Sequence, residues 1–143
     1  MSFPRPVAYI PGQTPRHPEG LFEALRATVR PGMSEGALAD CDALRAGLYY
    51  LDEGLFWEAH EVLEPVWMAC PPNSAARQVA QALIQIANAR LKLRMGRRQA
   101  AARIAALAGR HVTEVRHAGG EAPLGQSLES LERRLEALRQ DLR

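Results

Sequence analysis

Cysteines, long apolar runs and alternating strands are all scarce in this sequence of 143 residues. The two cysteines, Cys41 and Cys70, are too few for a disulfide framework, and neither belongs to a Cys/His cluster with zinc spacing. We therefore expect both thiols to be reduced. No run approaches the roughly 18 consecutive apolar residues that span a bilayer. No basic patch leads into an apolar stretch at the start of the sequence, so we expect a cytoplasmic protein without a membrane partner.

An excess of charge of one sign is also lacking. Eighteen Lys and Arg against sixteen Asp and Glu leave a net charge of only +2, which is a weak argument for a nucleic-acid partner. No glycine-rich phosphate loop occurs. The hydrophobic fraction of 47% is that of an ordinary globular protein. The sequence therefore predicts one folded domain across residues 1–143, large enough to form a single core without disulfides.

Prolines are concentrated at the start of the chain, where five of the ten fall within the first eighteen residues. Each proline fixes φ and disfavours helix in the residue before it, so residues 1–17 are predicted to form an extended arm. Tyr9 and Ile10 give this arm apolar surface to bury. We therefore expect the arm to lie across the body of the protein.

The rest of the chain has helical periodicity, because apolar residues recur at steps of three and four and no segment alternates with a period of two. We expect an all-α protein: a compact bundle of two antiparallel helical hairpins on a tetratricopeptide-like plan, with a short N-terminal helix and a C-terminal helix. The helical core is predicted over residues 18–117 and the C-terminal helix over 126–142. The individual helices are predicted at 18–30, 34–51, 55–69, 74–95, 98–108 with an extension over 111–116, and 127–142.

The predicted helix 55–69 carries a polar edge beside its core face. On a helical wheel, His60, Glu64 and the two tryptophans lie within roughly 80° of one another. Pro65 cannot donate to the carbonyl of Glu61, so we expect it to bend the helix and leave that oxygen free.

A second polar stripe lies on the predicted helix 74–95, which is otherwise apolar nearly all round. Its amide side chains need hydrogen-bond partners if they are buried. We predict that this stripe faces His60 and Glu64, and that the two helices form a polar groove between the hairpins. The candidate site residues are Trp57, Glu58, His60, Glu61, Glu64, Trp67, Gln81, Gln85 and Asn88.

These two helices also carry a family resemblance. The string Glu58-Ala59-His60-Glu61, with Glu64 and Trp67 behind it and the Gln81–Ala87 segment further on, resembles the small helical proteins grouped as domain-of-unknown-function family 309. The resemblance covers residues 8 to about 108 and leaves the C-terminal helix outside. It implies an all-helical bundle with no assigned activity.

The same residues allow an enzymatic or metal-binding alternative. His60 and Glu64 are one helical turn apart and are spaced to bind a divalent metal, with Glu61 or Glu58 as further ligands. A di-iron bundle needs Glu-x-x-His on two helices, which this sequence lacks, so we predict no cofactor. No Ser or Cys lies nearby in sequence as a nucleophile, which leaves a hydrolytic site with His60 as general base as the weaker alternative. We therefore favour a binding or interaction module for a protein or a small molecule.

Two further alternatives come from charge and leucine patterning. From Glu35 to Trp67 there are eight acids and one base, whereas from Arg90 to Arg116 there are eight bases and one acid. No aromatic residue is interleaved with those bases, so nucleic-acid binding through the second hairpin remains a lesser alternative.

The leucine stripe of the C-terminal helix is predicted to close the bundle, and a homodimer seam along it is the alternative.

Overall fold

A computed structural model describes residues 3–143 and consists of helices joined by short loops. No strand occurs in this range, so the all-α prediction is confirmed. Within the described residues, no helix is both long and apolar enough to cross a membrane. The helices are α1 (Glu23–Arg26), α2 (Glu35–Ala39), α3 (Asp42–Asp52), α4 (Phe56–Ala69), α5 (Ala75–Arg94), α6 (Arg98–Ala118) and α7 (Leu128–Leu142), with a 3-10 turn at Pro123–Gly125.

The body of the protein consists of the two helical hairpins that the sequence predicts. α3 packs on α4, α5 packs on α6, and each pair is joined by a turn that contains a glycine. Gly54 and Gly96 have φ values of 76° and 77°, in the left-handed region where glycine carries no steric penalty. α5 also contacts α4 and α7, so it occupies the centre of the bundle. One cluster of buried residues extends from Phe22 to Leu138.

Three helices begin at a serine that satisfies a free backbone donor. The hydroxyl oxygens of Ser34, Ser74 and Ser127 each accept a hydrogen bond, at 3.1 Å, from the backbone N–H three residues further on. Such caps replace a partner that the first turn of a helix lacks. The starts of α2, α5 and α7 therefore follow directly from the sequence.

The first half of the chain is less helical than its apolar spacing suggests. The helix predicted over 34–51 is divided, because Cys41 has an extended conformation (φ −74°, ψ 151°) and caps α3. Leu38, Cys41 and Leu44 remain buried on both sides of the break, which explains why the spacing is continuous. The helix predicted over 18–30 is reduced to Glu23–Arg26, after a turn in which Gly20 has a φ of 83°.

The C-terminal helix packs against the central hairpin. α7 contacts α5 and α6, and its Leu131, Leu135 and Leu138 are buried in the same chain. These leucines close the bundle. A homodimer along α7 would have to use the other faces of this helix.

The N-terminal arm lies across three of the helices. Tyr50 of α3 donates its hydroxyl to the carbonyl of Pro4 at 2.7 Å, and the ring of Phe3 lies 6.5 Å from the Tyr50 ring. At the other end of the arm, the Gln13 side-chain amide donates to the carbonyl of Arg94 at 2.9 Å. The arm therefore reaches from α3 to the end of α5.

Candidate functional site

Glu58 is a fully buried carboxylate in the first turn of α4. Its Oε2 accepts the backbone N–H of Tyr9 at 2.8 Å and lies 2.5 Å from Nε2 of His17. Its Oε1 has no hydrogen-bond partner among residues 3–143. A buried carboxylate is costly unless it is paired. Glu58 is therefore the polar anchor that holds the arm against α4.

Aromatic rings surround this pair. The Trp57 ring lies 5.2 Å from the Tyr9 ring, at an interplanar angle of 83°, and 5.8 Å from the His17 ring. Phe22 lies 5.7 Å from His17 on another side. Edge-to-face packing at these distances is favourable for aromatic rings. The rings bury the Glu58 carboxylate and leave one side of His17 and Trp57 facing a cleft.

This cleft, the arm-side cleft, lies between residues 16–23, α1 and α4 and has a volume of about 580 Å³. It contains side chains of both charges around one flat aromatic wall. The guanidinium group of Arg16 lies over the Trp57 ring at 5.5 Å. The side chains that the argument below uses are those of Arg16, His17, Glu19, Glu23, Arg26, Trp57 and Glu61.

Arg26 contacts the part of α4 that Pro65 disturbs. Pro65 lies within α4 and has no N–H, so the carbonyl of Glu61 lacks its usual helical donor. Nη1 of Arg26 donates to this carbonyl instead. The guanidinium also lies 3.9 Å from Oε2 of Glu61 and 3.6 Å from Oε1 of Glu64. The oxygen that the sequence analysis left free therefore has an arginine as its partner.

His60 and Glu64 continue this row of charges along α4. Nε2 of His60 lies 3.5 Å from Oε2 of Glu64. In residues 3–143, no group of three or more His, Cys, Asp or Glu side chains is arranged to hold a metal ion. The positive charge of Arg26 also opposes a divalent cation at Glu61 and Glu64. A metal at these carboxylates would have to displace the arginine.

A second cleft, of about 420 Å³, lies at the C-terminal end of α4, next to α5 and α6. Trp67 and Gln81 line it together, and Arg77 lies over the Trp67 ring at 4.6 Å. Nδ1 of His111 donates to Oε1 of Gln78 at 2.7 Å, and burial lowers the pKa of His111. We call this the α6-side cleft.

The predicted site residues are thus divided between two clefts at different positions along α4. Trp57, Glu58 and Glu61 lie on the arm side, whereas Trp67 and Gln81 share the α6-side cleft. The amide of Asn88 donates to Gln85 at 3.4 Å, a contact within α5. His60 and Glu64 likewise pair within one helix.

Sequence reasoning missed Tyr9, His17 and Arg26 as members of the site. Their partners on α4 are 35 to 49 residues away in the chain, and periodicity reports only local spacing. One signal was present, because Glu58 borders the apolar face of the α4 wheel, about 40° from Val62. A carboxylate at such a position needs a buried donor, and His17 in the arm was a candidate.

The fold and the site define a class of protein: a helical bundle whose N-terminal arm is anchored on a buried glutamate of the second long helix. A protein-family model described as a domain of unknown function (DUF309) matches residues 44–104, from α3 to the first turns of α6. Residues 44–104 are thus similar to this family, in agreement with the resemblance inferred from the sequence. Searches of the curated proteins and of the solved structures found no match.

Proposed function

We propose that this protein is a binding module whose ligand occupies the arm-side cleft. The observation that carries this proposal is the convergence of His17, Trp57 and Arg26 on one concave site, with the buried Glu58 carboxylate behind them. Pockets for small molecules combine an aromatic wall with a few fixed polar groups. The hydrogen bonds to Glu58 and to the Glu61 carbonyl hold two of those groups in place.

The charges of the cleft favour a small zwitterion. Arg26 is a fork-shaped donor suited to a carboxylate, and Trp57 offers a flat face to a planar group or a cation. Glu19 and Glu23 line the same cleft and would attract an amino group. A compound with both charges, such as an amino acid or a short peptide, would use all of these side chains.

Of the groove predicted around His60, Glu64, Trp67 and Gln85, only His60 and Glu64 enter this proposal, as the outer part of the binding surface. The ion pairs from Arg26 to Glu64 and from Glu64 to His60 connect the arm-side cleft to the exposed edge of α4. A ligand longer than one residue would follow this row of side chains. These ion pairs support His60 and Glu64 as an extension of the site, with the arm-side cleft as its centre.

A hydrolytic function is the second candidate, with His17 rather than His60 as the base. A carboxylate that holds an imidazole in one orientation is the relation found in catalytic triads. The cleft is lined by no Ser or Cys among the described residues, and this favours binding over nucleophilic catalysis. We also propose a cytoplasmic location, because both cysteines are free and buried.

The two tryptophans allow a direct test by NMR, because each cleft contains one indole N–H. We expect titration with free amino acids and dipeptides to shift the Trp57 indole signal while the Trp67 signal stays in place. Arg26→Gln should abolish that shift. Arg77→Gln makes the same change beside Trp67 and should leave it intact.

Two results would contradict the proposal. A shift confined to Trp67 would move the binding site to the α6-side cleft. If neither indole responds to any zwitterion at millimolar concentration, the proposed ligand class is wrong.

A further inference from the structure

A third cleft, of about 730 Å³, lies at the end of the bundle opposite Trp67 and is distinct from the proposed binding site. It is bounded by the α3–α4 turn, by the C-terminal half of α5 and by α7. Four arginines line it: Arg90 and Arg94 from α5, and Arg133 and Arg134 from α7. We call it the arginine cleft.

Two contacts position Arg94 at the wall of this cleft. Its guanidinium lies over the Phe56 ring at 4.6 Å, and its Nη1 donates to the carbonyl of Gly54 at 2.5 Å. Gly54 has a φ of 76°, which favours glycine at this turn, and a Cβ atom there would lie 2.6 Å from Nη2 of Arg94. The hydrogen-bond acceptor of Arg94, the Gly54 carbonyl, carries no charge, so it does not neutralise the guanidinium. Within residues 3–143, no carboxylate forms an ion pair with Arg94.

The other three arginines have partners that a ligand can replace. Arg90 pairs with Asp141 at 2.8 Å, Arg134 pairs with Asp52 at 2.9 Å, and Arg133 pairs with a glutamate one turn earlier on α7. All three carboxylates are well exposed, with 59%, 64% and 82% of their side-chain surface accessible. Exposed ion pairs contribute little to stability and exchange readily. The cleft can therefore present several free guanidinium groups to an anion.

We propose that the arginine cleft binds a compact ligand with more than one phosphate group. The planar fork of an arginine donates to two phosphate oxygens at once. A ligand with several phosphate groups can pair with several of these arginines together, whereas each exposed carboxylate pairs with one of them. Arg94 supplies the fixed contact, and Arg90, Arg133 and Arg134 move from their carboxylates to the ligand. The concave shape favours a ligand that fits one cleft over a long nucleic-acid strand.

The phosphates of an RNA backbone have the same chemistry, so the two sources must be distinguished. An RNA strand would also need the arginines of the α5–α6 turn beyond the cleft. One of these is occupied, because Nη1 of Arg98 donates to the carbonyl of Leu142 at 2.6 Å. Arg103 is exposed and lies on the first turns of α6, outside the arginine cleft, so it serves as the matched control.

The test is isothermal titration calorimetry of the full chain with inorganic tripolyphosphate at low salt. We expect Arg94→Gln to weaken binding about tenfold or more, since it removes a charged contact that is held in place. Arg103→Gln makes the same charge change and should alter the dissociation constant less than about twofold, because distant exposed charges are screened. If Arg94→Gln lowers the melting temperature markedly, the double variant Arg133→Gln/Arg134→Gln supplies the test, because the only ion pairs that it removes in the described part of the chain are with exposed carboxylates.

Absence of binding heat at low salt would overturn the proposal, as would equal losses in Arg94→Gln and Arg103→Gln, which indicate diffuse electrostatic attraction. A second titration uses a short single-stranded RNA. Tighter binding of this RNA than of tripolyphosphate, with equal dependence on Arg94 and Arg103, would overturn the compact ligand in favour of a nucleic-acid surface. Preference for tripolyphosphate would support the compact ligand.

Discussion

At the scale of single residues, the two histidines that lie near glutamates of α4 differ in burial. The side chain of His17 is 9% exposed and that of its partner Glu58 is 0% exposed, whereas His60 and Glu64 are 33% and 40% exposed. Water solvates the exposed pair whether or not the contact forms. The buried carboxylate has only the donors that the protein provides. Equivalent substitutions at the two histidines therefore have unequal consequences.

We predict that His17→Ala lowers the free energy of unfolding by about 3 kcal/mol, because it leaves the buried Glu58 carboxylate with a single backbone donor. His60→Ala should cost at most about 1 kcal/mol. Urea denaturation of both variants measures the difference. Adding Glu58→Met to His17→Ala should recover part of the loss, since no charge then remains buried. If the double variant is no more stable than the single one, the charge of Glu58 is not the cause.

The sequence identified the site residues that lie on α4 but did not identify the arm residues that the tertiary structure brings to them. Glu58, Trp57 and Glu61 were recognised from their positions on one short helix. Tyr9 and His17 were assigned to the arm, but nothing local links an extended segment to a particular carboxylate 41 or 49 residues later. Such pairings arise only when the tertiary structure brings the two segments together.

At the scale of helices, close approach depends on a residue that the sequence analysis did not single out. A Cβ atom at Gly47 of α3 would lie 2.4 Å from Cδ2 and 2.5 Å from Cγ of Leu63 in α4. Gly109 of α6 is also within a helix, but its Cβ would first meet Nη2 of Arg139, at 2.9 Å. The far end of an arginine moves at little cost, whereas Leu63 is fully buried.

We predict that alanine has opposite effects at these two positions. Gly47→Ala should reduce the free energy of unfolding, because overpacking of about 1–3 kcal/mol outweighs a gain in helix propensity of about 1 kcal/mol. Gly109→Ala should raise it by about 0.5–1 kcal/mol, as the propensity gain is then the main effect. Thermal and urea unfolding of the two variants give the comparison. An unchanged or stabilised Gly47→Ala would mean that α3 and α4 can separate without loss.

Helix positions were predicted well where periodicity and a capping serine coincide, as at Ser74 and Ser127. The prediction was wrong at Cys41, because apolar spacing at Leu38, Cys41 and Leu44 is the same for a continuous helix and for two short ones. It was also wrong at the first helix, where Gly20 allows a turn that the apolar residues do not reveal. Apolar spacing therefore predicts which residues are buried more reliably than it predicts whether the helix between them is continuous.

At the scale of the whole molecule, burial makes the fold sensitive to high pH. Burial raises the pKa of Cys70 from 9.0 to about 11 and that of Tyr50 from 10.0 to about 12, and it also raises the pKa of Cys41. The unfolded chain thus loses these protons at a lower pH than the native protein does. The stability linked to these groups is fully present below pH 9 and is lost as the pH rises towards 11 and 12.

We therefore predict that the free energy of unfolding falls steadily above pH 9 and that Cys70→Ala makes this fall shallower. Tyr50→Phe should do the same at the upper end of the range, on a lower baseline, because it also loses the hydrogen bond to Pro4. Denaturation curves at several alkaline pH values measure the slope for each variant. A slope that neither substitution changes would assign the alkaline sensitivity to other groups.

The path of the arm also has a consequence for how the chain folds during synthesis. The arm leaves the ribosome before the helices that it contacts, yet it hydrogen-bonds Glu58 in α4 and the carbonyl of Arg94 at the end of α5. Contacts so far apart in the chain form only after the intervening segments have been made and ordered. The arm is therefore translated before its partners but docks after them, and the Glu58 carboxylate stays hydrated until the arm arrives.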